Sequence, residues 1–232
     1  MTALFFALSL FSAVPARAAS AVAGSVVSSK EWKVRRGEQK EEEFIGDVRY
    51  RSGATIFNAD WALFKHASQS WRAKGRVKVE HLLESGDDLV AHGDEAVYDQ
   101  VSQKGTMTAK KDVTFDRTPR DEETDHGRAD RVEWSGKDQI AAIGSVRLWG
   151  TRMLTWSDRA DFANDERTLK LTGNRPVLVK LAGFDPTSSD WVGALQGDTI
   201  TSYETPRRLT ADGRARGWLD FTKKKDSSGG KQ

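Results

Sequence analysis

Polar and apolar residues alternate with a period of two along much of this chain. Arg76-Val77-Lys78-Val79-Glu80 reads polar, apolar, polar, apolar, polar, and Lys111-Asp112-Val113-Thr114-Phe115-Asp116 continues in the same manner. Ser145-Val146-Arg147-Leu148 and Thr168-Leu169-Lys170-Leu171-Thr172 repeat it. Successive side chains of a strand point to opposite faces, so the pattern predicts strands with one buried face and one wet face. The inward set it nominates is Val77 and Val79, Val113 and Phe115, Val146 and Leu148, Leu169 and Leu171, and Val177, Val179 and Leu181. Two stretches, 61–72 and 78–85, carry weak helical spacing interrupted by strand-like or turn-like residues. Five Pro and twenty Gly fall mostly between the strand runs and supply the turns.

A repeat underlies the alternation. Asp-x-x-x-aromatic occurs from Asp60 to Phe64, Asp94 to Tyr98, Asp130 to Trp134 and Asp158 to Phe162, with Ala or Val at the third position each time. A degenerate fifth copy runs from Asp198 to Tyr203. A second landmark, Gly-x-Val, falls between these at Gly46-Asp47-Val48, Gly75-Arg76-Val77 and Gly144-Ser145-Val146, and more loosely at Gly173 to Val177. Steps of roughly 28–40 residues between the aspartates leave room for three or four short strands per unit. An Asp before a bend can bond its own backbone, and the aromatic can pack on the neighbouring unit. One unit cannot bury its apolar face alone, so neighbours must stack.

The ends read differently. Ala3 to Val14 is apolar apart from two serines and leads into Ala16-Arg17-Ala18, which predicts a secretory signal peptide over residues 1–19 rather than an uncleaved anchor. Residues 20–43, ending in Lys40-Glu41-Glu42-Glu43, read as a flexible leader, 44–222 as the strand domain, and 223–232 as a disordered tail. Over the 232 residues, 36 Lys and Arg against 34 Asp and Glu leave a formal charge of +2. Interspersed charge of both signs argues against nucleic acid as a partner. The chain has no cysteine, which rules out thiolate metal sites and cysteine nucleophiles.

Ile45-Gly46-Asp47-Val48-Arg49-Tyr50, followed by Thr55-Ile56-Phe57-Asn58-Ala59-Asp60, resembles the opening of OstA-like proteins. These are the periplasmic lipopolysaccharide transport proteins of the LptA family, related to LptC and the N-terminal domain of LptD. Gly93 to Tyr98 and Gly197 to Ile200 look like the same family, and the resemblance covers roughly Phe44 to Phe221. It implies an all-β fold, an open, twisted β-jelly-roll of antiparallel strands. It also implies a groove holding the acyl chains of lipopolysaccharide (lipid A), and location in the periplasm. Head-to-tail homo-oligomers, with inner-membrane LptC-like and outer-membrane LptD-like partners, would bridge the two membranes. The Asn-Ala-Asp alignment adds Thr55, Phe57 and Ala59 to the groove. The chain departs from an ordinary member in a longer repeat region, eight Trp and the acidic-polar stretch Thr118 to Asp125.

Other chemistry is thinly supported. A closed core would use the same apolar faces without any ligand, as in a structural or adhesive β-repeat protein. Trp61, Trp71, Trp134, Trp149, Trp156, Trp191 and Trp218 would suit stacking on sugars, as in a carbohydrate-binding module, but strand patterns around them favour packing in the core or its rim. His66, His81, His92 and His126 lack metal-ligand spacing, and no nucleophile elbow or phosphate loop is present. The expectation is a protein without enzymatic activity or cofactor.

Overall fold

The computed structural model describes residues 18–22, 25–37, 40–83, 86–120, 123–136, 139–151, 153–163, 165–180, 191–204 and 206–221. They form β1 (Ala18–Val22), β2 (Ser25–Ser29), β3 (Glu31–Arg35), β4 (Glu41–Ser52), β5 (Thr55–Lys65), β6 (Ser70–Leu82), β7 (Asp88–Asp99), β8 (Lys104–Thr118) and β9 (Asp125–Ser135). The chain continues through β10 (Gln139–Trp149), β11 (Met153–Ala163), β12 (Thr168–Thr172), β13 (Val177–Lys180), β14 (Trp191–Gln196), β15 (Thr199–Glu204), β16 (Arg207–Asp212) and β17 (Arg216–Phe221). Strands β4 to β11 are an antiparallel meander in which each pairs with the next. On the flanks the strands come in collinear halves: β2 and β3 along β4, β12 and β13 along β11, then β15 with β14, and last β16 with β17. Among the described residues no register joins the last pair to β1, β2 or β3, so the sheet is open. This is the all-β, antiparallel β-jelly-roll that the alternation and the resemblance lead one to expect.

Every long strand is interrupted near its middle, and the two sequence landmarks meet there. Gly75 and Arg76 have φ of 75° and 43°, and Gly144 and Ser145 have φ of 79° and 48°. Two successive left-handed residues in a strand make a bulge, which kinks it, and the first position has room only for glycine. At both sites a β-carbon would overlap an aspartate of the preceding strand: Asp60 against Gly75, and Asp130 against Gly144. Asp158 faces Gly173 and Asp198 faces Gly213 in the same way. Asp158 also accepts a 2.6 Å hydrogen bond from the Asn174 amide, and Asp94 one of 2.6 Å from the Lys110 amide. Asp60 and Asp198 hold Arg76 and Arg214, and these hydrogen bonds lower both carboxyl pKa values. Each repeated Asp therefore secures the bulge of the next strand.

Because the bulges line up, the single sheet creases along one line into two walls. The first contains segments 41–45, 61–65, 70–74, 95–99, 104–108, 131–135, 139–143 and 159–163. The second contains 48–52, 55–58, 77–82, 88–92, 113–118, 125–129, 146–149 and 153–157. Rings meet across the gap: Tyr50 and Trp71 lie 5.0 Å apart between centroids, and Phe115 and Phe162 6.3 Å. Phe44, Met107, Leu171 and Ile200 of the first wall are fully buried with Val48, Val77, Val113 and Val146 of the second.

Three expectations are corrected. Much of the leader, residues 20–43, is strand: β2 and β3 pair with β4, and Lys30, between them, ion-pairs with Asp47 at 2.7 Å. The charged run was misleading because Glu42 is an inward residue supplied with partners. The weak helical spacing of 61–72 and 78–85 does not decide the described residues there: 61–65 and 70–82 are strand, since long neighbours on both sides take their backbone groups, and 84–85 lie outside the described residues. A repeat unit consists of two long bent strands rather than three or four short ones. Nearly all of the predicted signal peptide and the whole 223–232 tail lie outside the described residues.

Candidate functional site

The space between the walls is filled at one end and open further along. At the filled end Trp71 packs against Phe44, Phe64 and Tyr50, with centroids at 5.8, 4.7 and 5.0 Å, and Trp32 stacks on Phe44 at 6.3 Å. Glu42 sits in this aromatic group. Its carboxylate accepts from Trp32 Nε1 at 3.1 Å and lies 2.6 Å from His66 Nε2. A buried carboxylate needs such partners, and these two supply them. Tyr98 and Trp134 continue the filling, stacked at 6.4 Å over Gly105, where a β-carbon would overlap the indole.

Beyond this plug the side chains shorten and a cavity of about 130 Å³ opens. Leu89, Ala91, Phe115, Leu148 and Met153 line it from the second wall, and Ile140, Ala142, Phe162 and Leu169 from the first. Gly127 contributes by having no side chain, so that the Phe115 ring lies flat against its backbone. The mouth is charged: Arg117, Asp125, Arg167 and Glu204 are also among the lining residues. Arg117 donates to Asp87 Oδ2 through Nε at 2.9 Å and Nη2 at 2.7 Å, and through Nη1 to Glu204 at 3.3 Å. Burial opposes its charge, but the Asp87 hydrogen bond and the Glu204 and Asp87 charges outweigh that and raise its pKa. His126 lies 2.7 Å from Asp116 through Nδ1 and stacks on Trp149 at 5.7 Å. An apolar slot with a polar rim can take hydrocarbon while the rim handles the polar part of the same molecule.

Of the residues nominated from the sequence, Phe115, Leu148 and Leu169 line this cavity. Ala59, Val77, Val113, Val146 and Leu171 are buried in the core, with Phe57 and Val79 packed against it. Thr55 is half-buried, with its hydroxyl 2.8 Å from His81 Nδ1. Val177 and Val179 were placed on the wrong face. Their neighbour Leu178 is the buried residue, opposite Thr155, whereas Val177 pairs with the exposed Trp156. Pro176, also buried, fixes that parity, and three consecutive apolar residues concealed it. Leu181 lies outside the described residues.

The first wall was largely missed, although its signal was present. Phe64, Tyr98, Trp134 and Phe162, the aromatics of the Asp repeat, all pack inward, as do the intervening Ala62, Ala96, Val132 and Ala160. Asp-x-Ala-x-aromatic thus marks the inner face of one wall and Gly-x-Val that of the other. The tryptophans divide. Trp71 and Trp134 belong to the interior, whereas Trp149, Trp156 and Trp218 are 38, 40 and 59 % exposed on the outer face of the second wall. Trp149, Leu154, Val179, Ala194 and Trp218 are successive cross-strand partners there.

No protein-family model and no curated protein sequence matches the chain. Among solved structures it is similar to the crystal structure of LptH, the LptA-homologous periplasmic component of the lipopolysaccharide transport device of Pseudomonas aeruginosa. Sequence identity is 10 %, the TM-score is 0.38, and the match covers 73 % of this chain and 95 % of that one.

Proposed function

We propose that the chain is a periplasmic lipopolysaccharide-binding transport protein that holds acyl chains between its two walls, as part of a bridge from inner to outer membrane. The observation that carries this reading is the apolar cavity at Phe115, Leu148, Phe162 and Leu169, open through a charged mouth. The resemblance of Ile45 to Asp60 to OstA-like proteins supports the choice of lipid. The outermost strands support the bridge. β16 and β17 at one side, and the β1–β3 side opposite, offer backbone donors and acceptors to a second copy or to LptC-like and LptD-like neighbours. A photo-crosslinking residue at Phe115 or Phe162 is expected to capture labelled lipopolysaccharide, and one at the exposed Val97 is not. Absence of an adduct at both cavity positions would overturn the reading.

A second reading follows from the outer face. The exposed Trp149, Trp156 and Trp218 meet the requirement of a carbohydrate-binding module for accessible aromatic faces. On that reading, Trp149→Ala with Trp218→Ala weakens binding of an immobilised core oligosaccharide roughly thirtyfold, taking about 1 kcal/mol per stacked ring. Unchanged retention of the sugar by the double variant would exclude it.

A further inference from the structure

Resting on the carrier reading above, we propose that Arg117 is the subsite for an acid headgroup, and that Glu204 occupies it until an acidic amphiphile takes its place. Residue 117 lies two positions after Phe115 on β8, so both side chains project from the same face of the second wall. Phe115 lies inside the cavity and Arg117 at its mouth. The two contacts to Asp87 fix the guanidinium plane, since the Asp87 side chain is only 9 % exposed and is itself held in place. That leaves Nη1 directed across the mouth. Its partner there is Glu204, at the end of β15 on the first wall, with a 3.3 Å contact and a side chain 48 % exposed. A long ion pair to a solvated carboxylate is a weak one. A phosphate or carboxylate anchored by its own hydrocarbon chain would compete well, because the chain has already brought it to the site and the fork geometry suits an oxyanion.

The exchange has a mechanical consequence. Arg117–Glu204 ties one wall to the other, so a headgroup that displaces Glu204 also releases a contact holding the mouth closed. At about 130 Å³ the cavity is close to the size that accepts a single benzene ring, and a longer chain requires the walls to part. Arg167, in the turn between β11 and β12, adds a second positive charge at the mouth. The acidic Asp125 lies there too, so the preference for acids rests on Arg117 Nη1, held only by the solvated Glu204, rather than on net charge.

Calorimetric titration of the whole protein with dodecyl phosphate, laurate and dodecanol, each at monomeric concentration, tests this. In the unaltered protein the better acid is expected to bind roughly tenfold tighter than the alcohol. Glu204→Gln, an exposed change, should widen that ratio about threefold. The paired change Asp87→Asn with Arg117→Gln leaves no buried carboxylate stranded, Glu204 being solvated, and should bring the ratio close to one. Tighter binding of dodecyl phosphate than laurate assigns the subsite to phosphorylated lipids, and the reverse order to fatty acids. A ratio that neither variant changes, or an alcohol that binds as well as the acids, overturns the subsite and leaves the carrier reading standing. Failure of all three probes to bind overturns the carrier reading itself, and the subsite with it.

Discussion

Replacing Phe44 by alanine is expected to lower the unfolding free energy by about 4 kcal/mol, as read from urea denaturation of the purified protein. Phe44 has no exposed surface and stacks between Trp32 and Trp71. Removing its ring takes away the transfer energy of a large apolar group and leaves a void that neighbouring rings can fill only in part. The void would open beside Glu42, whose side chain depends on the same aromatic group for its shielding. Water entering there would loosen the Trp32 and His66 contacts to the carboxylate as well. Val97→Ala, at a residue 48 % exposed on the same wall, serves as the comparison and should cost less than about 1 kcal/mol. Equal losses from the two changes would show that the aromatic plug does not stabilise this end of the fold.

The second large effect is expected at Gly105. This residue pairs with Tyr98 on one side and Trp134 on the other, and the Trp134 indole lies over its α-carbon. Gly105→Val should destabilise by about 3 kcal/mol, because the indole has to leave its position and the buried surroundings do not yield. Gly136→Ala separates this steric effect from backbone strain. Its φ is +66° with open space around it, so alanine there bears only the left-handed penalty, about 1 kcal/mol. Near-ultraviolet circular dichroism gives a second readout, since Trp134 would lose its fixed environment in the first variant and keep it in the other.

The strands were legible in the sequence where only one of their faces is buried, as at Val77 and Val79 or Val113 and Phe115. Legibility failed where inward polar groups or outward apolar ones broke that rule. Glu42 looks solvated until Trp32 and His66 are seen to reach it, from β3 and from the turn after β5. Leu178 hides between two valines that face outward beside Trp156. The repeat was visible, but not what its two parts do together. Asp60 and Gly75, or Asp158 and Gly173, come into contact only once the hairpin registers are fixed, and those registers depend on turns the alternation does not specify. For the same reason the alternation finds the cavity's second wall at Phe115 and Leu148 but, of the first, Leu169 alone. Ile140, Ala142 and Phe162 pair with strands adjacent in sequence, and only the crease brings them opposite Phe115 and Leu148.

The alignment of the bulges also governs how such a chain can change in size. A crease made by an Asp on one strand and the bulge of the next, with a Gly in that bulge in most pairs, is a local device, complete within neighbouring strands. Insertion or loss of a whole bent hairpin therefore leaves every other crease contact intact, whereas an odd strand would reverse the direction of all that follow. Length in this architecture is quantised in hairpins. A lineage can adjust how far the molecule reaches in steps of one pair of strands, about 10 Å each at the usual spacing between neighbours, without redesigning its interior.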